Sequence, residues 1–245
     1  MEEILIITGG SKGIGRGIID AYLANGTKVF AISRTVNAGL SKGSVTQIQL
    51  DLTETDKIEA ELLHIFNLLE KEKVAKITLI NNAGTLGSIG PLEKLEASTI
   101  AQTIKLNTTV PFILSAIFIN YFQDWSIRKS IINITSGAAL KPYFGWSVYC
   151  SSKVAINMLT QTIALEQAEV ENAVKVLAIA PGVVDTDMQT EIRKSDKSNF
   201  KDLDRFIALK KDGALNDAAV VGKKIFEMDN DDTLESGAIL RVEGN

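Results

Sequence analysis

Short runs of apolar and β-branched residues alternate along this chain with longer segments of helical periodicity. Seven runs are predicted strands: residues 4–8, 28–33, 45–50, 77–81, 130–135, 174–180 and 238–242. The helical patterns between them cover residues 14–24, 54–72, 96–122, 147–169 and 215–228. Runs that are apolar throughout, such as residues 4–7, indicate strands buried on both faces of a parallel sheet. The alternation predicts an α/β fold with a doubly wound, mostly parallel seven-stranded sheet and helices on both faces.

The chain has 245 residues, of which 45% are hydrophobic, and contains no internal repeat, low-complexity segment or Pro/Gly-rich linker. We therefore expect one domain over residues 1–245. The 26 Lys and Arg residues against 30 Asp and Glu residues give a formal charge of −4, and no basic cluster is present. This charge pattern argues against a nucleic-acid partner.

Three features of the sequence predict a cytoplasmic location. Cys150 is the single cysteine, which rules out an internal disulfide and fits a reducing compartment. The chain begins Met1-Glu2-Glu3, unlike the basic start of a signal peptide. No apolar stretch reaches the roughly 18 residues of a membrane span, so we expect no membrane partner.

Residues 185–212 interrupt the strand–helix alternation. They are charged and predict short helical pieces at best. A connection of this length in a compact domain is usually functional or disordered. A solvated surface insertion is one interpretation. We favour a lid over the active site, because the segment begins directly after Pro181-Gly182 at the end of a predicted strand.

A glycine-rich turn, Thr8-Gly-Gly-Ser-Lys-Gly-Ile-Gly15, follows the first predicted strand and opens the first predicted helix. Glycines allow the backbone to approach a pyrophosphate, and the helix N-terminus offers unpaired N–H groups. The alternative is a tight β–α connection without a ligand, but the strand-before, helix-after context favours dinucleotide binding. The residues predicted to contact the dinucleotide here are Gly9, Ser11, Lys12, Gly13, Ile14 and Gly15.

The end of the second predicted strand indicates which dinucleotide binds. An NAD site usually carries an acidic residue about 20 residues after the glycines, bonded to the ribose 2′-hydroxyl. This chain has Ser33-Arg34-Thr35 there, with no acid in reach. Arg34 can bind a 2′-phosphate through its planar guanidinium, and Lys12 adds a second positive charge. Taken alone, each of these two cations would be interpreted as an ordinary surface residue. Together they favour NADP(H), with Ser33 and Arg34 among its contacts.

Tyr149 and Lys153 lie one helical turn apart in a predicted helix, and Ser136 follows a predicted strand. Reduction of a ketone requires a hydride donor and a proton for the developing alkoxide. Tyr149 can give that proton, although the pKa of a free phenol is about 10. We expect Lys153 to lower this pKa to about 7, because a cation about 4 Å away supplies roughly the 4 kcal/mol required. Ser136 can donate a hydrogen bond to the substrate oxygen. The alternative interpretation is that the three residues have no catalytic role, so that Tyr149 is an ordinary helix residue unrelated to the lysine and the serine.

In their order along the chain, these motifs resemble the short-chain dehydrogenase/reductase family. Further matches are Asp51-Leu52, Asn81-Asn82-Ala83-Gly84, Asn107, and Pro181-Gly182 with Thr186. The resemblance covers nearly the whole chain and implies a single-domain Rossmann fold. It also implies that Asn107 completes the catalytic set of Ser136, Tyr149 and Lys153 by ordering a proton-relay water.

The resemblance implies positions for cofactor and substrate. Asp51 and Leu52 would lie near the adenine ring, and Asn82 and Ala83 beside the ribose. The residues expected around the nicotinamide and its phosphates are Tyr149, Lys153, Val184, Thr186 and Met188. The residues expected to contact the substrate are Ser136, Tyr149 and Gly182.

Within the family, residues 180–189, 209–215 and 235–238 resemble sepiapterin reductases and the related bacterial and fungal diketone (benzil-type) reductases. Sepiapterin reductases hold the pterin with an aspartate shortly after the Ser-Gly-Ala motif. The matching position here is Arg241, with Glu243 two residues on. A cation does not pair with the guanidine-like edge of a pterin. An aromatic or aliphatic ketone, above all a 1,2-diketone, is therefore the expected substrate class, with sepiapterin-like pteridine reduction as the alternative.

Two further functions stay open: a non-catalytic NADP-binding regulator, and reduction of a carrier-bound acyl chain. The intact catalytic set favours an enzyme over the regulator. A basic docking patch would favour the acyl carrier, and the sequence has no such cluster. In similar proteins the helices around residues 100–122 and 150–169 pair across a two-fold axis. We therefore expect a homodimer, with a homotetramer as the alternative.

Several other residues receive a structural interpretation. His64 is expected on a helix face far from the site, and Cys150 has no nearby histidine to activate it as a nucleophile. No group of residues has metal-ligand spacing, so no metal is expected. Four apolar or aromatic residues either line a substrate pocket or belong to the core or an interface: Leu140, Tyr143, Trp146 and Met188.

Overall fold

The computed structural model describes residues 1–40 and 43–242. At its centre is one seven-stranded sheet in which each neighbouring pair of strands is parallel. The order across the sheet is β3-β2-β1-β4-β5-β6-β7. The strands are β1 Glu2–Thr8, β2 Lys28–Ser33, β3 Val45–Gln49, β4 Val74–Asn81, β5 Arg128–Ile134, β6 Lys175–Ala180 and β7 Ile239–Arg241.

The described part of the chain contains eight α-helices. They are α1 Gly13–Ala24, α2 Ile58–Asn67, α3 Ala97–Ile104, α4 Val110–Phe122, α5 Ser147–Gln167, α6 Asp187–Arg193, α7 Leu203–Lys211 and α8 Ala218–Asp229. The predicted helix over 96–122 is divided, because a π-helical turn at Lys105–Thr109 joins α3 to α4. The predicted helix over 54–72 is α-helical only within α2, which a 3₁₀ turn at Thr55–Lys57 precedes.

Both faces of the sheet are covered by apolar side chains from helices. On one face, residues of α2, α4 and α5 such as Phe66, Phe118 and Ile156 pack against the strands. On the other, α1 and α8 contribute residues such as Ile19 and Ile225. The prediction of a doubly wound sheet with helices on both faces is therefore confirmed, and the sheet is parallel throughout.

The predicted strand bounds are wrong by two or three residues at three starts, and by one residue at the starts of β6 and β7 and at the ends of β3, β5 and β7. β1, β4 and β5 begin at residues 2, 74 and 128, rather than at 4, 77 and 130. Lysines near two of these starts obscured the pattern, since Lys76 and Lys129 are only 3% exposed despite their charge. Lys76 forms a buried ion pair with Asp229 of α8 at 2.7 Å. The Lys129 ammonium donates to the carbonyl oxygens of Phe122 and Trp125 at 3.0 and 2.8 Å. Both lysines are thus paired within the protein, which sequence periodicity cannot reveal.

Helices α1 and α8 touch through their backbones at two glycines. A β-carbon on Gly17 would lie 2.0 Å from the Ala218 carbonyl oxygen, and one on Gly222 would lie 2.1 Å from the Gly17 carbonyl oxygen. Larger residues would push the helices apart. This contact fixes α1, and with it the glycine-rich turn that precedes α1.

The continuous helical run Ala97–Phe122 is the one described segment long and apolar enough to cross a membrane, judged by length and composition alone. The sequence-based expectation that no such stretch exists is therefore wrong by that criterion. Val110, Leu114, Phe118 and Phe122 of this run are nearly inaccessible and pack in the core against the sheet. A core helix meets the same criterion, so the finding is weak evidence for a membrane span.

Candidate active site

A cleft of about 1470 Å³ opens at the carboxyl edge of the sheet. Its walls come from the turns after β1, β2, β3 and β4 and from α6. The strand order reverses between β1 and β4, and the loops that leave these two strands diverge there. This is the position where open α/β sheets bind their ligands. The predicted dinucleotide residues that line the cleft are Gly9, Ser11, Lys12, Gly13, Ile14, Gly15, Ser33, Arg34, Asp51, Leu52, Asn82, Ala83, Thr186 and Met188.

The glycine-rich turn is held to the loop after β4 by a small hydrogen-bond network. The Asn82 amide donates to the carbonyl oxygens of Thr8 and Gly9 at 2.9 and 3.0 Å. The Thr8 hydroxyl oxygen accepts from the backbone N–H groups of Asn82 and Ala83. Gly9 has a φ of +70°, and a β-carbon there would lie 2.9 Å from the Ala83 Cα. Asn82 therefore supports the turn. Sequence reasoning placed Asn82 only beside the ribose and missed the role of Thr8.

The far end of the cleft carries the residues predicted to select the dinucleotide. Arg34 is exposed, and its guanidinium forms no hydrogen bond or ion pair within residues 1–40 and 43–242. The Ser33 hydroxyl donates to the Thr35 carbonyl oxygen at 2.9 Å. The Asp51 carboxylate accepts from the backbone and the hydroxyl of Thr53, which lowers the pKa of Asp51. Asp51 is thus fixed as an anion, whereas Arg34 is available to a ligand.

Lys12 has a partner that the sequence did not predict. Its ammonium lies 2.5 Å from a carboxylate oxygen of Asp187, the first residue of α6. Both side chains are about three-quarters exposed, at 74% and 73%. Exposed pairs of this kind contribute little free energy because water screens them. Lys12 can therefore exchange Asp187 for a phosphate at low cost.

Ser136, Tyr149 and Lys153 come together next to the cleft. Ser136 follows β5, and Tyr149 and Lys153 occupy one face of α5. The Ser136 side chain is near enough to the Tyr149 hydroxyl to lower the pKa of Tyr149. The Lys153 ammonium lies 5.9 Å from the centre of the Tyr149 ring and donates to the Ile134 carbonyl oxygen at 2.9 Å. The three side chains that the sequence predicts to act together are thus neighbours in space.

The electrostatics of this group differ from the expectation that Lys153 lowers the Tyr149 pKa to about 7. Burial raises the pKa of Tyr149, and the nearby Ser136 side chain opposes that effect only in part. Burial also lowers the pKa of Lys153 to about 8. Loss of water around the two side chains is therefore the largest influence on both pKa values.

Asn107 lies in the π-helical turn between α3 and α4 and is buried. Its side-chain oxygen accepts from the Thr85 backbone at 2.8 Å, and its amide donates to the Thr85 carbonyl and the Ser152 hydroxyl. Gly84 separates Asn107 from Lys153, since a β-carbon on Gly84 would lie 3.3 and 3.6 Å from their polar atoms. The Asn107 amide is thus occupied by protein partners, and its predicted role in ordering a relay water stays a prediction.

Of the residues after β6, some face the cleft and others face the protein interior. Thr186 touches the glycine-rich turn, because its methyl group lies 3.2 Å from the β-carbon position of Gly13. Met188 lines the cleft, whereas the Val184 side chain is buried in the core. Gly182 has a φ of +77°, and a β-carbon there would lie 2.6 Å from the Asn216 amide. The predicted contacts of Val184 and Gly182 with ligands stay predictions.

The four residues that were assigned to either a pocket or the core fall into different environments. Trp146 is 5% exposed and belongs to an aromatic cluster, with Tyr143 packed against it. Leu140 is 70% exposed, and Met188 faces the cleft. The cluster also contains Phe200 and Phe206 from residues 185–212. That segment is therefore packed in part against Trp146 and Tyr149 and is not a fully solvated insertion.

No group of three or more metal-ligating side chains occurs in the described residues. His64 is exposed on α2, as the sequence pattern suggests. Burial raises the pKa of the Cys150 thiol, which disfavours the reactive thiolate.

The chain is similar to known proteins over its whole length. The family profile described as short chain dehydrogenase matches residues 3–197. A benzil reductase ((S)-benzoin forming) of Bacillus cereus is 39% identical over 245 residues, which cover 98% of this chain and 98% of that protein. A sepiapterin reductase of Mus musculus is 32% identical over 251 residues, which cover 96% of this chain and 94% of that protein. The solved structure of ElxO with NADP bound aligns with a TM-score of 0.81 at 25% identity, over 99% of this chain and 97% of that one. The chain therefore belongs to the short-chain dehydrogenase family and is an oxidoreductase that acts on C=O or CH–OH groups.

Proposed function

We propose that this protein reduces a small carbonyl substrate with NADPH, and that an aromatic or aliphatic 1,2-diketone is its preferred substrate class. The placement of Ser136 and Lys153 around Tyr149, beside a cleft at the strand switch point, carries the proposal. The 39% identity to a benzil reductase supports a diketone.

The residues of the cleft fit a nicotinamide dinucleotide phosphate. Helix α1 begins at Gly13, so its unpaired N–H groups face the glycine-rich turn, where a pyrophosphate is favoured. Arg34 and Lys12 are the cations that would hold a 2′-phosphate. Bound there, NADPH supplies the hydride. The solved structure of the similar protein ElxO contains NADP, which supports this choice of cofactor.

The proton chemistry follows from the three side chains of the site. Tyr149 holds its phenol proton, since burial favours the neutral form, and donates it to the developing alkoxide. Ser136 holds the substrate oxygen through a second hydrogen bond. Lys153, hydrogen-bonded to Ile134, provides a positive charge that stabilises the phenolate left by the transfer. We keep Asn107 as the residue that orders a relay water.

Steady-state NADPH oxidation tests the substrate class. The panel contains an aromatic 1,2-diketone, a simple aromatic ketone, sepiapterin and a β-ketoacyl thioester. We expect kcat/KM for the diketone to exceed that for the other compounds by at least about tenfold, which corresponds to about 1.4 kcal/mol. Sepiapterin as the best substrate would overturn the diketone proposal. Binding of NADPH without turnover of any compound would favour the non-catalytic regulator.

The pterin alternative depends on the end of the chain. Arg241 is exposed at the end of β7, paired with Ala180 of β6. By resemblance to the sepiapterin reductases, this position after the Ser-Gly-Ala motif would carry the pterin-binding acid, and a cation there supports the diketone. Glu243, the candidate substitute for that acid, lies outside the described residues.

The cofactor preference gives a second prediction. Arg34→Ala is expected to raise the Kd of NADPH about 10- to 100-fold and to change the Kd of NADH less than threefold, because a charge-assisted bond to phosphate contributes about 1.5–3 kcal/mol. Lys12→Ala should have a smaller effect of the same kind, since Lys12 also binds Asp187. Fluorescence titration of both nucleotides measures these constants.

Lys223→Ala is the control for the cofactor prediction, because Lys223 is an exposed cation of α8 that does not line the cleft. It should leave both dissociation constants unchanged. Equal affinities of the wild type for NADH and NADPH would show that the site does not select the phosphate.

Exposed apolar side chains on α4 and α5 support the proposal of a homodimer, with a homotetramer as the alternative. Phe112 is 45% exposed, Val154 49%, Met158 60% and Leu165 79%. Apolar patches of this kind mark association surfaces. The cytoplasmic location and the absence of nucleic-acid and membrane partners stay proposals from the sequence.

A further inference from the structure

Trp146 joins the candidate catalytic helix to residues 185–212. It is the residue before α5, and its carbonyl oxygen accepts from the Cys150 backbone at 2.8 Å, in the first turn of that helix. The Trp146 ring packs against the Tyr149 ring with centres 5.7 Å apart and planes at 80°. This edge-to-face contact covers one side of Tyr149.

Trp146 also contacts two aromatic residues from the segment 199–206. Phe200 stacks on the indole at 4.6 Å with an interplanar angle of 12°, and Phe206 packs at 5.4 Å. Phe200 is completely buried. A continuous row of rings therefore runs from Phe200 through Trp146 to Tyr149.

The backbone on either side of this row is also closely fitted. Gly145 has a φ of +86°, and a β-carbon there would lie 2.0 Å from the Asn199 carbonyl oxygen. The Gly145 carbonyl oxygen accepts from the Gly90 backbone at 3.0 Å. The segment 199–206 is thus anchored to the loop before α5. By contrast, α6 borders the cleft and meets the glycine-rich turn through the exposed pair of Lys12 and Asp187.

We propose that Trp146 is a positioning residue, which fixes the Tyr149 ring and makes proton donation depend on docking of the segment 199–206. This inference rests on the proposed role of Tyr149 as proton donor. In this arrangement residues 185–212 have two roles. The part from 199 to 206 is a fixed support for Tyr149, and α6 is the part that lies over the cofactor cleft.

The row of aromatic rings also explains why the Tyr149 side chain is excluded from solvent. Trp146, itself 5% exposed, shields the ring from water, and burial is the main cause of the raised pKa of Tyr149. The polar groups around Tyr149 are the Ser136 hydroxyl, the Cys150 thiol and the Lys153 ammonium. Within the segment 199–206, Arg205 donates a hydrogen bond to the Tyr143 hydroxyl and packs on the Phe206 ring. Tyr143 and Phe206 both pack against Trp146.

Replacement of Trp146 tests the proposal. Trp146→Ala should lower kcat about 100-fold, the size of effect that a misplacement of about 1 Å produces, with the Kd of NADPH changed less than threefold. Because a phenol donates its proton only below its pKa, and water entry lowers that pKa, the alkaline loss of activity should move to lower pH. Trp146→Phe keeps an aromatic ring and should recover most of the activity.

Phe200→Ala provides a second variant, which breaks the row without altering the loop before α5. It should shift the alkaline loss of activity to lower pH, as Trp146→Ala does. The kcat of the double variant should be no lower than that of the more impaired single variant. Trp125→Ala is the matched control. Trp125, the other tryptophan of the chain, is 9% exposed and packs edge-on against Phe122 at 4.9 Å, in the core on the α2–α4 face. It should cost stability without moving the pH profile.

Ultraviolet titration gives a readout that does not need turnover. The difference in absorbance between the protein and its Tyr149→Phe variant reports the ionisation of Tyr149, which Trp146→Ala should shift to lower pH. If the wild type reduces no carbonyl compound, the proposed function fails while this titration still tests the coupling. An unshifted titration in a folded Trp146→Ala protein, or an equal shift in Trp125→Ala, would overturn the proposal.

Discussion

Tyr149→Phe is expected to lower kcat for ketone reduction by about 10³-fold and to leave the Kd of NADPH within threefold of the wild-type value. The substitution removes only the hydroxyl, so the ring contacts with Trp146 are retained. What is lost is the proton for the developing alkoxide, and general acid catalysis contributes about 10²–10⁴-fold. Steady-state kinetics with the best diketone and fluorescence titration of NADPH measure the two quantities.

Tyr143→Phe is the control for the tyrosine prediction. Tyr143 packs against Trp146 in the aromatic cluster, and its hydroxyl accepts a hydrogen bond from Arg205 at 3.2 Å. Its replacement should change kcat less than threefold. If Tyr149→Phe abolished NADPH binding together with turnover, Tyr149 would be a structural residue of the cofactor site. Full activity of Tyr149→Phe would show that another group donates the proton.

Lys153→Met is expected to lower kcat/KM about 100-fold or more while it raises the free energy of unfolding at pH 7 by about 1–2 kcal/mol. The loss follows from removal of the charge that stabilises the phenolate. The stability gain arises because burial lowers the pKa of Lys153 from 10.5 to about 8, a penalty of about 3 kcal/mol on the charged folded state. Part of the gain is offset because the Ile134 carbonyl loses its hydrogen-bond donor.

The sign of the pH dependence follows from the direction of that shift. The unfolded chain keeps the Lys153 proton up to about pH 10.5, whereas the folded protein releases it near pH 8. The unfolded state therefore binds more protons in this window, so the Lys153 contribution to stability rises with pH. The variant should be more stable than the wild type below pH 8, the difference should pass through zero near about pH 9, and the wild type should be the more stable protein near pH 10.5. Urea unfolding of both proteins at pH 7, 9 and 10.5 measures this difference in the free energy of unfolding.

Lys129→Met is the control that separates the effect of a buried lysine on stability from the effect of Lys153 on activity. Lys129 is also buried with a lowered pKa, but it bonds the carbonyls of Phe122 and Trp125 and is not part of the cleft. This variant should retain kcat. A Lys153→Met protein less stable than wild type at pH 7 would mean that the bond to Ile134 outweighs the cost of the buried charge.

The sequence predicted the sheet well because burial on both faces leaves a local signal. Residues 28–33 form a strand with the predicted bounds, since its apolar positions are continuous. The glycine-rich turn was recognisable because Gly9 and Gly13 have positive φ values, which restrict the residue type. Tyr149 and Lys153 could be paired from sequence because they are four positions apart on one helix.

The contacts that join distant parts of the chain were decided only by the tertiary structure. The pairing of Lys76 with Asp229 and of Lys12 with Asp187, and the stacking of Trp146 on Phe200, all connect residues far apart in sequence. The same is true of the raised pKa of Tyr149, which sequence reasoning predicted in the wrong direction. Periodicity and spacing report which residues share a strand or a helix face. Burial and electrostatics instead depend on which faces the completed fold brings together.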